Sequence, residues 1–139
     1  AVVEIARHLP CQIYWVDTDD DRYPEDIAEE VTKLLANKPE TIAQHAPGDA
    51  IHLIMTYSHQ VDFEIVMAVL SCGNFARCGL IGSETKASRF RKRLRDAGVN
   101  SDAIERLSCP IGLPEITGKK PLQVAISVTG QLSNWLETK

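Results

Sequence analysis

Between Ile51 and Arg95 the chain reads strand, turn, helix, strand, turn, helix, and both strand-to-helix turns consist of small or hydroxylic residues. The apolar run Ile51–Met55 leads into Thr56-Tyr57-Ser58-His59. Behind it, Ile65, Val66, Val69 and Leu70 recur at helical spacing in a predicted helix over Asp62–Cys72, which Gly73 closes. A second strand, Ala76–Ile81, runs into Gly82-Ser83, and a basic helix is predicted over Ser83–Ala97 with Gly98 as its stop. Two such units in succession make neighbouring parallel strands with both turns at the carboxyl edge of the sheet. Open α/β folds bind ligands at that edge, because the first amides of each helix are unpaired and favour an anion. The pattern therefore specifies a phosphate-bearing ligand more firmly than any reaction.

The flanking segments extend the alternation. Val2, Ile5, Ala6 and Leu9 form an apolar helical stripe in a predicted helix over 1–9, which Pro10 ends. Strands are predicted at Gln12–Val16, stopping at Asp17 before the acidic turn 18–21, and at Val31–Ala36. Short helical stretches are expected at Pro39–Ala46 and around Asp102–Leu107. A last helix runs from Pro121 to about Leu136, with Leu122, Ala125, Thr129, Leu132 and Leu136 along one face. The fold class is α/β, a doubly wound parallel sheet in a single domain over residues 1–139. In such a fold a strand and a glycine-rich turn come first, and that strand is central, whereas this sequence opens on a helix. The expectation is that the sequence begins just after that strand and turn, or that another chain supplies the strand.

An apolar fraction of 44% and a formal charge of −4 are ordinary for a globular domain and direct the chain toward neither nucleic acid nor membranes. No secretory leader and no apolar run of membrane-spanning length is evident, which with the cysteine pattern gives a cytoplasmic location as the expectation. Cys11, Cys72, Cys78 and Cys109 show no C-x-x-C pairing or metal-ligand spacing and read as buried thiols. His8, His45 and His52 are scattered, without partners at ligand spacing.

Four places could carry chemistry. Asp17, at the end of a strand, is either the acceptor for a ribose hydroxyl pair or the first of several acidic turn residues. Thr56, Ser58 and His59 can cap the next helix or bind ligand oxygens. Gly82 allows close approach to the backbone, and Ser83 can cap the basic helix. Lys86 and Arg89 lie one and two turns in, where long side chains can fold back toward a phosphate. Arg91, Lys92 and Arg95 read as a solvated face, and with only core-facing Phe90 interleaved the run does not suggest nucleic-acid binding. No Ser-His-Asp, Cys-His or carboxylate-pair arrangement emerges, so a binder is expected rather than a catalyst. Asp17 keeps open an NAD(P)-dependent oxidoreductase or dinucleotide-binding domain.

Three stretches together resemble the XdhC/CoxI family, the xanthine dehydrogenase accessory proteins: Met55-Thr56-Tyr57-Ser58-His59-x-x-Asp62, Gly79-Leu80-Ile81-Gly82-Ser83-x-x-Lys86 with Arg89-Phe90, and Cys109-Pro110-Ile111-Gly112-Leu113. The likeness runs from about Ile13 to Leu136 and covers the family's C-terminal Rossmann-like domain, part of a larger protein. Its usual Gly-Ala-Gly-His-Val-Gly turn would lie immediately before Ala1. The resemblance implies a chaperone for molybdenum cofactor, as molybdopterin or its dinucleotide form, that protects it, supports its sulfuration and delivers it. The implied partners are an apo molybdenum hydroxylase of the xanthine dehydrogenase type, a cysteine desulfurase and a second copy in a homodimer, with neither nucleic acid nor a membrane. Thr56, Ser58, His59, Gly82, Ser83 and Lys86 occupy matching motif positions, and Asp17 matches the acidic end of the second strand. Departures are Tyr57 where members often carry His, Glu84-Thr85 in place of a commonly basic pair, and Lys120 where a hydroxyl cap is usual. The last would cost about 1 kcal/mol of helix stability.

Overall fold

The computed structural model describes residues 1–138, which divide into two compact units: 1–37 with 112–138, and 38–111. In the first unit, α1 (Val2–Ala6) precedes strand β1 (Ile13–Asp17), a single 3-10 turn at Asp20–Arg22 and strand β2 (Val31–Leu35). The second unit holds α2 (Pro39–Gln44), β3 (Ile51–Ile54), α3 (His59–Cys72), β4 (Arg77–Leu80), α4 (Glu84–Asp96), α5 (Ser101–Glu105) and β5 (Leu107–Ser108). The chain then returns to the first unit for α6 (Pro121–Glu137).

Every strand pairing is parallel, and the fold is α/β and Rossmann-like. β1 pairs with β2 in the register Ile13↔Val31, while β3, β4 and β5 form a second sheet in that order. The strands thus form two ladders, with no hydrogen-bonded strand pair joining them among the described residues. Within the second, Ile54 stands opposite Leu80 and Cys78 opposite Leu107. β5 has only two residues, too few for an alternating pattern to register, and the sequence suggested only a helical turn there.

The core of the second unit lies between its sheet and α3 and α4. Val66 and Val69 from α3, Leu80 from β4, and Ala87 and Leu94 from α4 are wholly inaccessible. Phe63 and Phe90 meet edge to face at 5.4 Å, the arrangement their ring quadrupoles favour. α3 ends as predicted at Gly73, whose φ of 69° suits the left-handed cap that glycine adopts without a steric cost. Ala97, the last residue of the predicted basic helix, is exposed at the cap, since α4 ends at Asp96.

In the first unit Tyr23 fastens the strand pair. Its buried hydroxyl lies 3.0 Å from the carbonyls of both Trp15 and Leu34, sharing its proton between β1 and β2. Burial, and secondarily the nearby Asp17 charge, raise its pKa. α6 buries Ala125, Thr129 and Leu132 as predicted, with Ser127, Val128 and Trp135 beside them, whereas Leu122 faces solvent. At its start, the Gln123 side chain accepts from the Lys120 amide at 3.2 Å, which offsets part of the missing hydroxyl cap. Gly112 sits directly against Ser127 of α6, with no room for a Cβ, while the Leu113 amide donates to Ser127 Oγ at 2.8 Å.

His52 on β3 has a buried Nε2 with no hydrogen-bond partner, and its ring meets Phe75 edge-on. Burial lowers its pKa from the usual 6.5. Between the lowered value and 6.5 the unfolded chain takes up a proton that the folded one refuses, so stability is full above pH 6.5 and falls as pH drops through that window. His52→Leu should flatten this dependence: denaturant midpoints at pH 5 and pH 7 should differ less in the variant than in the parent protein. Equal differences in the two would refute the assignment.

Candidate binding edge of the second unit

Two loops leave the carboxyl ends of paired strands, 55–58 after β3 and 81–83 after β4. Because the strands are adjacent and parallel, the loops are neighbours, as the alternation in the sequence predicts. Each is locally self-organised. Thr56 Oγ1 donates to the Ser58 carbonyl at 2.9 Å and accepts from the Ser58 amide at 3.2 Å. Ser58 then caps α3, its Oγ accepting from the Val61 amide at 3.3 Å, and Ser83 caps α4 by accepting from the Lys86 amide at 3.2 Å. Extended backbone at both caps turns the chain into each helix.

The loops are joined by a buried ion pair. Asp62, on the fourth residue of α3, is wholly inaccessible, and Lys86 of α4 is 9% exposed. Lys86 Nζ donates to Asp62 Oδ2 at 2.8 Å and to the Ile81 carbonyl at 2.9 Å. The other oxygen, Asp62 Oδ1, accepts the Thr56 amide at 2.8 Å. Each charged side chain thus reaches back to the strand exit preceding its own helix, and the two meet in the middle. The Lys86 stem lies over Gly82, where a Cβ would come within 2.5 Å of Lys86 Cδ. That contact is the steric reason for glycine here.

This arrangement changes the sequence reading of Lys86. Its side chain does not fold outward toward a ligand; the ammonium points inward, held by a carboxylate and a backbone carbonyl. Arg89 is exposed on the next turn, and His59 is exposed at the start of α3. Arg91, expected to be solvated, instead donates to the carbonyls of Leu107 and Cys109 at 3.2 and 3.3 Å. Arg93 stacks 3.8 Å over the Phe63 ring. Asp17 belongs to the first unit, where its Oδ1 accepts from the Thr18 amide at 2.7 Å and from Arg22 at 2.9 Å. The second unit thus brings together Thr56, Ser58, Gly82, Ser83 and Lys86.

Asp62 was given no role by sequence reasoning, although a signal existed. Asp62, Ile65, Val66 and Val69 share helical spacing, and so do Lys86, Phe90 and Leu94. An acid and a base therefore stand on the core-facing stripes of successive helices. The thiols divide differently from expectation: Cys78 and Cys109 are buried, but Cys72 is exposed and Cys11 half-buried. Burial pushes the Cys78 thiol up to about 12 and raises Cys109, the latter partly opposed by Arg91 and Lys86. No cluster of three or more His, Cys, Asp or Glu able to hold a metal exists among the described residues. No helix there is long and apolar enough to cross a membrane. A hollow of about 390 Å³ in this unit lies along α3, lined by Gln60, Phe63, Met67 and Arg93 among others, apart from the loop residues named above.

A sequence profile described as the XdhC Rossmann domain matches residues 1–132. Among solved structures, a crystal structure of a protein described as a xanthine dehydrogenase from Bacillus halodurans superposes with a TM-score of 0.78 at 21% identity. The alignment covers 99% of this chain and 39% of that one, so this sequence spans about two fifths of its length. At that identity the likeness establishes the fold. No curated protein sequence matches the chain.

Removing one partner of a buried pair strands the other charge in a poorly polarisable setting. Lys86→Met should therefore destabilise the protein by about 3–5 kcal/mol. Replacing both charges, as in Asp62→Leu with Lys86→Met, should recover most of that loss. Denaturant unfolding of the three proteins checks the pattern, and an additive loss in the double variant would contradict it.

Proposed function

Because the chain belongs to the XdhC Rossmann domain family, we propose that it is the cofactor-holding domain of a molybdenum cofactor chaperone serving a xanthine dehydrogenase-type hydroxylase. The observation that carries this reading is the adjacency of two serine-capped helix starts at the carboxyl ends of β3 and β4. The donors gathered there suit the phosphate end of molybdopterin: the first-turn amides of α3 and α4 that the caps leave free, with the hydroxyls of Ser58 and Ser83. These groups are neutral, and Lys86 is internally compensated by Asp62, so the anion is met by dipoles and hydrogen bonds rather than by a free ammonium. Gly82 leaves room for the Lys86 stem to cross the loop. Arg89 and His59, both exposed, are the side chains that can close over the ligand from α4 and α3.

The residues fit the organic part of the cofactor. When bound, the cofactor supplies the redox centre that the hydroxylase uses. The chain's own residues hold and orient it, and protect it until transfer. Protection, support of sulfuration by a cysteine desulfurase, delivery to the apo-hydroxylase, and pairing as a homodimer make up the rest of the proposal.

Full-length protein expressed beside cofactor biosynthesis should carry bound pterin, read as fluorescence after oxidation. Ser58→Ala with Ser83→Ala should lower the retained amount, at a cost of about 1 kcal/mol in stability for each lost cap. Glu84 stands in the first turn of α4, where a carboxylate repels an incoming anion, so Glu84→Gln should tighten retention by about two- to fivefold. Pterin-free protein that instead binds NAD(H) saturably, or transfers hydride, would replace this reading with the dinucleotide one.

A further inference from the structure

We infer that Asp62 is the positioning residue of the binding edge, setting the two loops relative to each other without touching the ligand. The inference rests on the cofactor reading for its purpose but on geometry for its substance. Asp62 is fully buried, so no ligand at the edge can reach it. Its two oxygens serve different loops: Oδ1 holds the Thr56 amide of the first, and Oδ2 holds Lys86, which in turn holds the Ile81 carbonyl of the second. A chain of three short hydrogen bonds therefore runs from one strand exit to the other through a single carboxylate.

The β-ladder alone does not set this distance. Its register ends at Ile54↔Leu80, and beyond it the strands carry no further pairing to each other except the Ile81 amide donating to the Ile54 carbonyl at 3.0 Å. From Met55 and Gly82 onward, relative placement depends on side chains. A buried ion pair is a poor device for stability, since apolar residues of the same size do as well, but it is directional. Hydrogen bonds to a carboxylate fix angles that packed methyl groups leave loose. Serine caps at Ser58 and Ser83 follow from that placement, because each belongs to a loop the brace pins.

Amide exchange separates this role from plain stability. In the full-length protein, Asp62→Leu with Lys86→Met should unfold cooperatively at a similar denaturant midpoint. Exchange at the Thr56 amide should nevertheless accelerate at least tenfold while the core amides of Val66 and Leu80 stay within twofold, and retained pterin should fall about tenfold. If this variant does not fold, Asp62→Asn with Lys86→Met serves, since it leaves no unpaired buried charge. The Asn amide oxygen keeps the Thr56 bond while the link to the second loop is lost, so exchange at Thr56 should stay near normal while retained pterin still falls. Unchanged Thr56 exchange in the first variant, or full pterin retention in either, overturns the inference. Parent protein without pterin sinks only the cofactor reading, and the exchange comparison still decides the brace.

Discussion

A carboxylate and an ammonium removed from water organise the second unit. Isolating either charge in the interior is costly, and the cost is met only when their remaining donors and acceptors are also satisfied. Here Asp62 takes the Thr56 amide and Lys86 the Ile81 carbonyl, so the charges attach themselves to backbone at two neighbouring strand ends. Lys86 Nζ also lies 5.3 Å from the Phe90 ring centre, next to the aromatic pair that closes the core. The polar brace and the apolar core are thus continuous, and movement of one must disturb the other.

Compensation of Lys86 alters the electrostatics of the edge. A sequence with a lysine three residues past a glycine-serine turn invites the picture of an ammonium gripping phosphate. Once Asp62 neutralises that charge, the edge presents amide dipoles and hydroxyls, with Glu84 opposing and Arg89 favouring an anion. Under the proposed carrier role, such an edge suits a ligand that has to be handed on. Directional neutral donors orient an anion, while a free buried cation would add binding strength that release must overcome.

The first unit shows the same economy with one hydroxyl and one glycine. Tyr23 spans β1 and β2 through its shared proton, and Gly112 lets the loop press against Ser127. Asp17, meanwhile, is drawn into its own turn by Thr18 and Arg22. An acidic strand end can therefore be structural as easily as ligand-facing, and the residue five positions on decides between them.

Alternating strand and helix signals, with glycine or proline at their ends, located nearly every element from the residues alone. Period and punctuation are local properties, and Gly73 or Pro121 acts on its immediate neighbours. Local order also showed that the turns at Thr56–His59 and Gly82-Ser83 would be neighbours, since successive parallel strands pair. Only the tertiary structure decided where Lys86 and Arg91 point, and that Leu122 of α6 faces solvent while Trp135 is buried. The reason is physical: a long cationic side chain goes to whichever unsatisfied oxygen lies within reach. For Lys86 one of those oxygens belongs to Asp62, which is 24 residues away along the chain and 2.8 Å away in space.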